Sequence, residues 1–245
     1  MSVQLQRAVP RHIIFCVDVS GEMNETICPT IDGGVHQNLK EASSRLDTVI
    51  LLIKRYIATN RILAPKDTYA IVGMMEKAYW MMNFTSEPRV IHKNLASLVT
   101  HEHCSTFDTD SLYRVISENA ALNNDVHNRL VHAIVFYGRT DVMPQPLGQD
   151  YAWIRNCSNF AFDLMFLHGP ARDSELCQAV YDFWVNIEPH VVSSWYFEFS
   201  KLGRSSMTKA MAQLTAHPLQ RGDQERINDL VTSEMKRPET IYLSD

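Results

Sequence analysis

Several features that would assign this sequence a simple class are missing. Nine glycines and ten prolines in 245 residues are too few for a fibrous or disordered chain. No stretch reaches the roughly 18 consecutive apolar residues of a membrane helix. Met1 to Pro10 is polar and lacks an apolar h-region, so no secretory signal is expected. Basic residues are in deficit, 23 Lys and Arg against 28 Asp and Glu for a formal net charge of −5, which argues against nucleic acid as the main ligand. The five cysteines (Cys16, Cys28, Cys104, Cys157 and Cys177) contain no CxxC-like pair, which excludes a zinc knot. Cys16 and Cys177 sit in apolar runs, where a reduced thiol behaves as a small hydrophobe. A reducing compartment, cytoplasmic and nuclear, is therefore expected.

Enzyme signatures are missing as well. There is no Gly-x-Ser-x-Gly elbow, no Walker A loop and no Gly-x-Gly-x-x-Gly after any strand-like run. Cys16 and His12 share a run that should be buried, where a thiol is inert. No nucleophile is expected, and the chain reads as a non-enzyme.

What the sequence does contain is 45% hydrophobic residues arranged as alternating strands and helices. His12 to Val17 is a continuous apolar run of strand length, as in a strand covered on both faces. Leu39, Ala42, Leu46, Val49, Ile50, Ile53 and Ile57 recur at helical spacing. Tyr69 to Met75 and Ala78 to Phe84 are separated only by Glu76-Lys77 and predict an antiparallel hairpin. Ser86-Glu87-Pro88 predicts a helix start, and a second helix is expected from Asp108 through Leu112, Val115 and Ile116. Val131 to Tyr137 is a buried strand, and a short helix around Tyr151 to Arg155 leads to another strand, Phe160 to Leu167. Leu176, Cys177, Val180, Tyr181 and Trp184 mark a further helix. Ser194 to Phe199 is the last strand, and Met207, Met211 and Leu214 mark the last clear helix. This order predicts an α/β fold, a doubly wound and mainly parallel sheet with one antiparallel edge strand and helices on both faces. Residues 1–9 form a lead, 10–221 one domain, and 222–245 a helical or extended tail.

In such sheets ligands sit at the carboxyl ends of the strands. Asp18-Val19-Ser20-Gly21-Glu22 follows the first strand and supplies a carboxylate and a hydroxyl two residues apart, oxygens that suit a hard cation such as magnesium. The segment resembles the first loop, Asp-x-Ser-x-Ser, of the metal-ion-dependent adhesion site of von Willebrand factor A-type (VWA) domains. Cys104-Ser105-Thr106-Phe107-Asp108 resembles the second loop, with Thr106 at the family's threonine. The third loop departs from the family, because Phe136-Tyr137-Gly138-Arg139 has no aspartate. Three of five ligand positions, Asp18, Ser20 and Thr106, thus match, while Glu22 replaces a serine and Gly138 or Tyr137 an aspartate. A degenerate site with no metal, or at most weak magnesium binding, is expected, since Mg2+ tolerates little change in geometry. Local roles also suit these residues: Ser20 in the turn, Thr106 or Asp108 as a helix cap.

His101-Glu102-His103 and Ser111 partly match a JAMM zinc signature. Arg114 stands where its final ligand belongs and, as a permanent cation, cannot bind zinc. In Trp195-Tyr196-Phe197-Glu198-Phe199, Trp195, Phe197 and Phe199 share one face; the core claims that set, and an aromatic edge is an option for a partner. After the Met207 helix, Ala216-His217-Pro218-Leu219-Gln220-Arg221 reads either as an ordinary helix stop or as a rigid turn presenting Leu219 and Arg221 to another protein.

Taken together, Ile13 to Glu22, Cys104-Ser105-Thr106-Phe107, and the Met207 to Ala216 helix running into His217-Pro218-Leu219-Gln220-Arg221 resemble one family. It is the VWA-type scaffold subunit shared by the BRISC and BRCA-one-A deubiquitinase complexes, the mediator of Rap interactions and targeting, and the resemblance spans about residues 10 to 222. It implies a non-catalytic subunit that binds a BRE-type ubiquitin-fold-like subunit and stabilises an assembly around a JAMM deubiquitinase and its pseudoenzyme partner. That assembly cleaves chains linked through ubiquitin's lysine sixty-three, in DNA-damage signalling and in cytoplasmic functions. The partner surface is then expected on Met207, Met211, Leu214, His217, Pro218, Leu219, Gln220 and Arg221, with no nucleic acid or membrane involved. The tail Arg237-Pro238-Glu239-Thr240-Ile241-Tyr242-Leu243 departs from the acidic family tail. The alternative is a metal-dependent ligand-binding VWA domain using Asp18, Ser20 and Thr106.

Overall fold

The run that opens the domain becomes its central strand. In the computed structural model β1 (Arg11–Asp18) lies between two parallel neighbours, and all its residues but one are fully buried. That environment is the reason its sequence is continuously apolar rather than alternating. The structure describes residues 9–27, 30–31, 34–35, 43–102, 104–122, 128–169 and 171–227. Leu39, Ala42, Cys28, His103 and the tail from 228 onward lie outside the described residues.

After β1 come a 3-10 turn, Gly21–Asn24, and four two-residue strands: β2 (Thr26–Ile27), β3 (Thr30–Ile31), β4 (Gly34–Val35) and β5 (Ser43–Ser44). β2 pairs with β5 and β3 with β4, both antiparallel. Helix α1 (Arg45–Leu63) begins at a capping box, in which the Asp47 amide donates to Ser44 Oγ at 3.0 Å and the Ser44 amide donates to Asp47 at 3.2 Å. This corrects the expected helix, whose apolar spacing ran back to Leu39 across Ser43-Ser44. Those two serines pair as a strand, and the Ser-x-x-Asp box sets the start.

β6 (Thr68–Met74) and β7 (Ala78–Thr85) form the antiparallel hairpin, followed by α2 (Pro88–Leu95) with Glu87 rather than Ser86 at its N-cap. Then follow α3 (Thr109–Asn119), β8 (Leu130–Tyr137), the short α4 (Gln149–Ala152), β9 (Phe160–Phe166), α5 (Ser174–Asn186), β10 (Tyr196–Glu198) and α6 (Arg204–Gln213). Asp108 caps α3 by accepting from the Ser111 amide, and Asp173 caps α5 by accepting from Glu175 and Leu176. The six-stranded sheet runs β10-β9-β8-β1-β6-β7, parallel except for the β6–β7 pair.

Alternation along β1 divides the core. Ile13, Phe15 and Val17 pack with α1, α2 and α6, whereas Ile14 and Cys16 pack with α3 and α5 on the opposite face. Helices therefore cover both faces, as the alternating sequence pattern implied. β10 is shorter than the expected Ser194–Phe199 strand. Its backbone is capped at the sheet edge by Gln224, whose side chain accepts from the Tyr196 amide at 2.9 Å and donates to its carbonyl at 2.8 Å. Trp195 and Phe199 are buried, so the core takes the aromatic face of this strand. Among the described residues no helix is long and apolar enough to cross a membrane.

Candidate functional site

The three loops singled out by position do converge at the carboxyl end of the sheet. His101 donates its amide to Val19 at 2.7 Å and bridges to Ser20, which ties the second loop to the first. Asp18 lies buried at the centre. One of its oxygens accepts from the Ser20 amide at 3.0 Å; the other accepts from Ser20 Oγ at 3.1 Å and the Gly138 amide at 3.0 Å. The Thr106 hydroxyl accepts from Gln145 at 3.3 Å at the surface, and the Thr106 carbonyl points inward.

The remaining valences of this crevice are filled by Arg139. Its Nε and Nη2 reach Asp18 Oδ1 at 3.1 and 3.0 Å, Nη1 donates to the Thr106 carbonyl at 2.8 Å, and Nη2 donates to the Met74 carbonyl at 2.9 Å and also to that of Met75. The guanidinium is wholly buried, 5.4 Å from the Phe107 ring centroid and 5.6 Å from that of Tyr137, a favourable setting for a flat cation. Burial works against its charge, but Asp18, Tyr137 and Cys104 together hold the Arg139 pKa above the usual arginine value. A second buried arginine, Arg45, donates to the Gly138 carbonyl at 3.2 Å and to the His168 carbonyl at 3.3 Å and pairs with Glu25.

A divalent cation does not fit this set of residues. The carboxylate it would need is committed to a guanidinium, and a second guanidinium lies just beyond Gly138. The family's third-loop aspartate would also displace Met23, because a Cβ at Gly138 would sit 2.5 Å from Met23 Sδ. Glu22, which stands in place of a serine, has its carboxyl pKa raised by burial and by the nearby carboxyls of Asp141 and Asp18. Among the described residues no three His, Cys, Asp or Glu side chains cluster to hold a metal. Of the zinc-like residues described, His101 is exposed, while Ser111 Oγ accepts from the Ala78 amide at 2.7 Å and donates to the Asp108 carbonyl at 2.5 Å.

At the opposite end of the chain the expected partner segment is placed differently from its sequence reading. Met207, Met211 and Leu214 are core residues, and Pro218 is buried. Arg221 is not presented outward. Its side chain, 0% exposed, donates to Asp163 at 2.7 Å and to the Ala216 carbonyl at 3.1 Å and lies 4.5 Å over the Trp195 ring. Asp163, also 0% exposed, accepts further from the Trp195 amide at 2.8 Å and meets His132 at 2.6 Å. His217, Leu219 and Gln220 keep solvent-facing surface. His217 donates through Nε2 to the Val9 carbonyl at 3.0 Å, as its Nδ1 accepts from the Leu219 amide. Leu219 packs beside Leu130, Ala161 and Val192.

His217 and Gln220 border an open groove of about 590 Å3. Leu63, Pro65, Lys66 and Thr215 complete its rim. Ile62 and Leu63, at the end of α1, are 83% and 65% exposed, the most exposed large apolar residues among those described. Beneath the groove Arg11 pairs with Asp67 at 2.8 Å and donates to Asn60 at 2.6 Å, which locks β1 to α1 and the loop before β6. Sequence reasoning found neither this cluster nor the roles of Arg139, Arg45 and Asp163. Each joins residues far apart in the chain, and the visible signal was limited to charged residues inside or beside apolar runs.

No family model matches the chain. It is 25% identical over 241 residues to BRISC and BRCA1-A complex member 1 of Xenopus laevis, which covers 94% of this chain and 71% of that protein. The human protein of the same name is 25% identical over 223 residues, 86% of this chain and 65% of its own length. The chain is a relative of BRISC and BRCA1-A complex member 1. Among solved structures, the SpRpn10 VWA domain aligns with a TM-score of 0.52 at 9% identity, covering 88% of this chain and 99% of that domain. The von Willebrand factor type A protein from Catenulispora acidiphila aligns at 0.52 and 13%, covering 86% of this chain and 43% of the other. The fold is that of a VWA domain.

Proposed function

We propose that this chain is a non-catalytic scaffold subunit of a deubiquitinase assembly. In this reading it binds a BRE-type ubiquitin-fold-like subunit and thereby stabilises a JAMM enzyme with its pseudoenzyme partner, acting on chains linked through ubiquitin's lysine sixty-three in nucleus and cytoplasm. The observation that carries the reading is similarity over nearly the whole chain to proteins named as members of the BRISC and BRCA1-A complexes. The crevice accords with this reading, since Asp18 and the Thr106 carbonyl are engaged by Arg139. Among the described residues the cysteines are buried as well, where a thiol is inert.

The partner surface is assigned to the exposed part of the C-terminal segment, Leu219 and Gln220, together with Leu63 at the groove lip and its exposed neighbour Ile62. An apolar lip beside a polar rim is the composition expected of an interface. Met207, Met211, Leu214 and Arg221 serve this surface by holding it from beneath. The test is co-purification of a BRE-type subunit with this chain. Ile62→Asp combined with Leu63→Asp is expected to weaken binding at least tenfold, the effect of losing ~1.4 kcal/mol, without lowering the melting temperature. Unchanged binding by this double variant refutes the placement. Failure of the unaltered chain to bind any such subunit refutes the scaffold reading itself. Arg221→Glu is unsuitable as a probe, because it buries two like charges and unfolds the site it is meant to report on.

A further inference from the structure

The geometry points to Arg139 as the resident cation of the crevice, a guanidinium built into the chain where VWA domains of the adhesion type recruit a divalent ion. Four observations carry this. Its nitrogens are met by acceptors drawn from three segments, one Asp18 oxygen and the carbonyls of Met74, Met75 and Thr106. The side chain has no solvent exposure, so no ion reaches Asp18 without displacing it. Phe107 and Tyr137 flank the cation with ring faces, which suit a weakly hydrated planar cation better than a strongly hydrated Mg2+. The bare Gly138 amide donates to Asp18 at 3.0 Å at the point where the family's third acid belongs, and a Cβ there would push against Met23.

The consequence goes beyond loss of a metal. Asp18 ends β1, Met74 ends β6, Thr106 belongs to the loop before α3, and Arg139 follows β8. One side chain therefore clamps the ends of three strands and one loop. A recruited ion can leave and let these segments move apart, whereas a covalently tethered guanidinium cannot. The crevice is held in one state at every concentration of divalent ions, and assembly through the far end of the domain is independent of them.

The test is thermal unfolding of the full chain in EDTA and in millimolar Mg2+ or Mn2+, with calorimetric titration of each ion. The unaltered chain is expected to melt at one temperature throughout and to show no saturable heat. Arg139→Ala is expected to melt several degrees lower and to regain part of that loss with Mg2+, a gain that Asp18→Asn removes. A melting temperature of the unaltered chain that rises saturably with Mg2+ overturns the assignment, as does an Arg139→Ala chain as stable as the original. If Arg139→Ala does not fold, the titration of the unaltered chain decides alone, and Arg139→Lys supplies the comparison with a smaller, more strongly hydrated cation.

Discussion

Replacing Arg221 with methionine keeps an apolar stem and removes the charge that neutralises Asp163. The carboxylate then remains buried with the Trp195 amide and His132 as its partners. Breaking one side of a buried ion pair typically costs about 3–5 kcal/mol, and here the loss of the cation over Trp195 adds to it. The pH dependence distinguishes this mechanism from simple loss of packing. In the native network burial, reinforced by the charges of Arg221 and Arg11, lowers the His132 pKa from 6.5 to about 4. Arg221 already balances Asp163, so His132 stays neutral. A depressed histidine pKa means that the unfolded chain binds more protons below pH 6.5, so stability falls as pH falls toward 4. With these two values the loss reaches about 2 kcal/mol by pH 5. Asp163 itself is held low by Arg221 and His132, which outweigh its burial, and it contributes only below the ordinary carboxylate range. In Arg221→Met the only counter-charge left is a protonated His132, whose pKa must rise. Denaturant unfolding at pH 8 and pH 5 measures both effects. The expected deficit is about 3–5 kcal/mol at pH 8 and about 2 kcal/mol smaller at pH 5. A deficit under about 1 kcal/mol, or one equal at both pH values, refutes the account.

Three further outcomes follow from other parts of the structure. Gly138→Asp restores the family's acid into space held by Met23 and is expected to destabilise by about 1–3 kcal/mol; Met23→Ala in the same chain should recover part of this in a urea titration. Ser44→Ala removes the capping box of α1 at a cost of about 1 kcal/mol, measurable as a lower denaturation midpoint with unchanged slope. Asn60→Ala leaves an Arg11 nitrogen without its acceptor at 2.6 Å and takes a donor from Asp67 and Tyr69, so a loss of about 1–3 kcal/mol is expected; hydrogen exchange should speed up first at the start of β1.

The fold was largely legible in the sequence because it depends on local periodicity. A continuous apolar run such as Ile13 to Val17 can be satisfied only between two covered faces, and apolar residues at helical spacing in α3, α5 and α6 can be satisfied only against a sheet. The Glu76-Lys77 connection likewise admits an antiparallel pair and little else. Ends were less legible, as α1 shows, because apolar spacing continued through a serine cap that actually stops the helix. The site was legible by subtraction: the missing third-loop acid and the Glu22 replacement could be read along the chain. That Arg139 takes the place of a cation could not be read there, since its acceptors come from residues 18, 74, 75 and 106 and meet only when β1, β6 and β8 lie side by side. The same reason reverses the reading of Arg221. Its residue type suggested an exposed anchor, but the parallel register of β8 and β9 sets His132 and Asp163 beneath it, and an unpaired buried carboxylate is too costly to leave. Periodicity in the sequence determined the architecture, and only the tertiary structure decided which charges would be buried together.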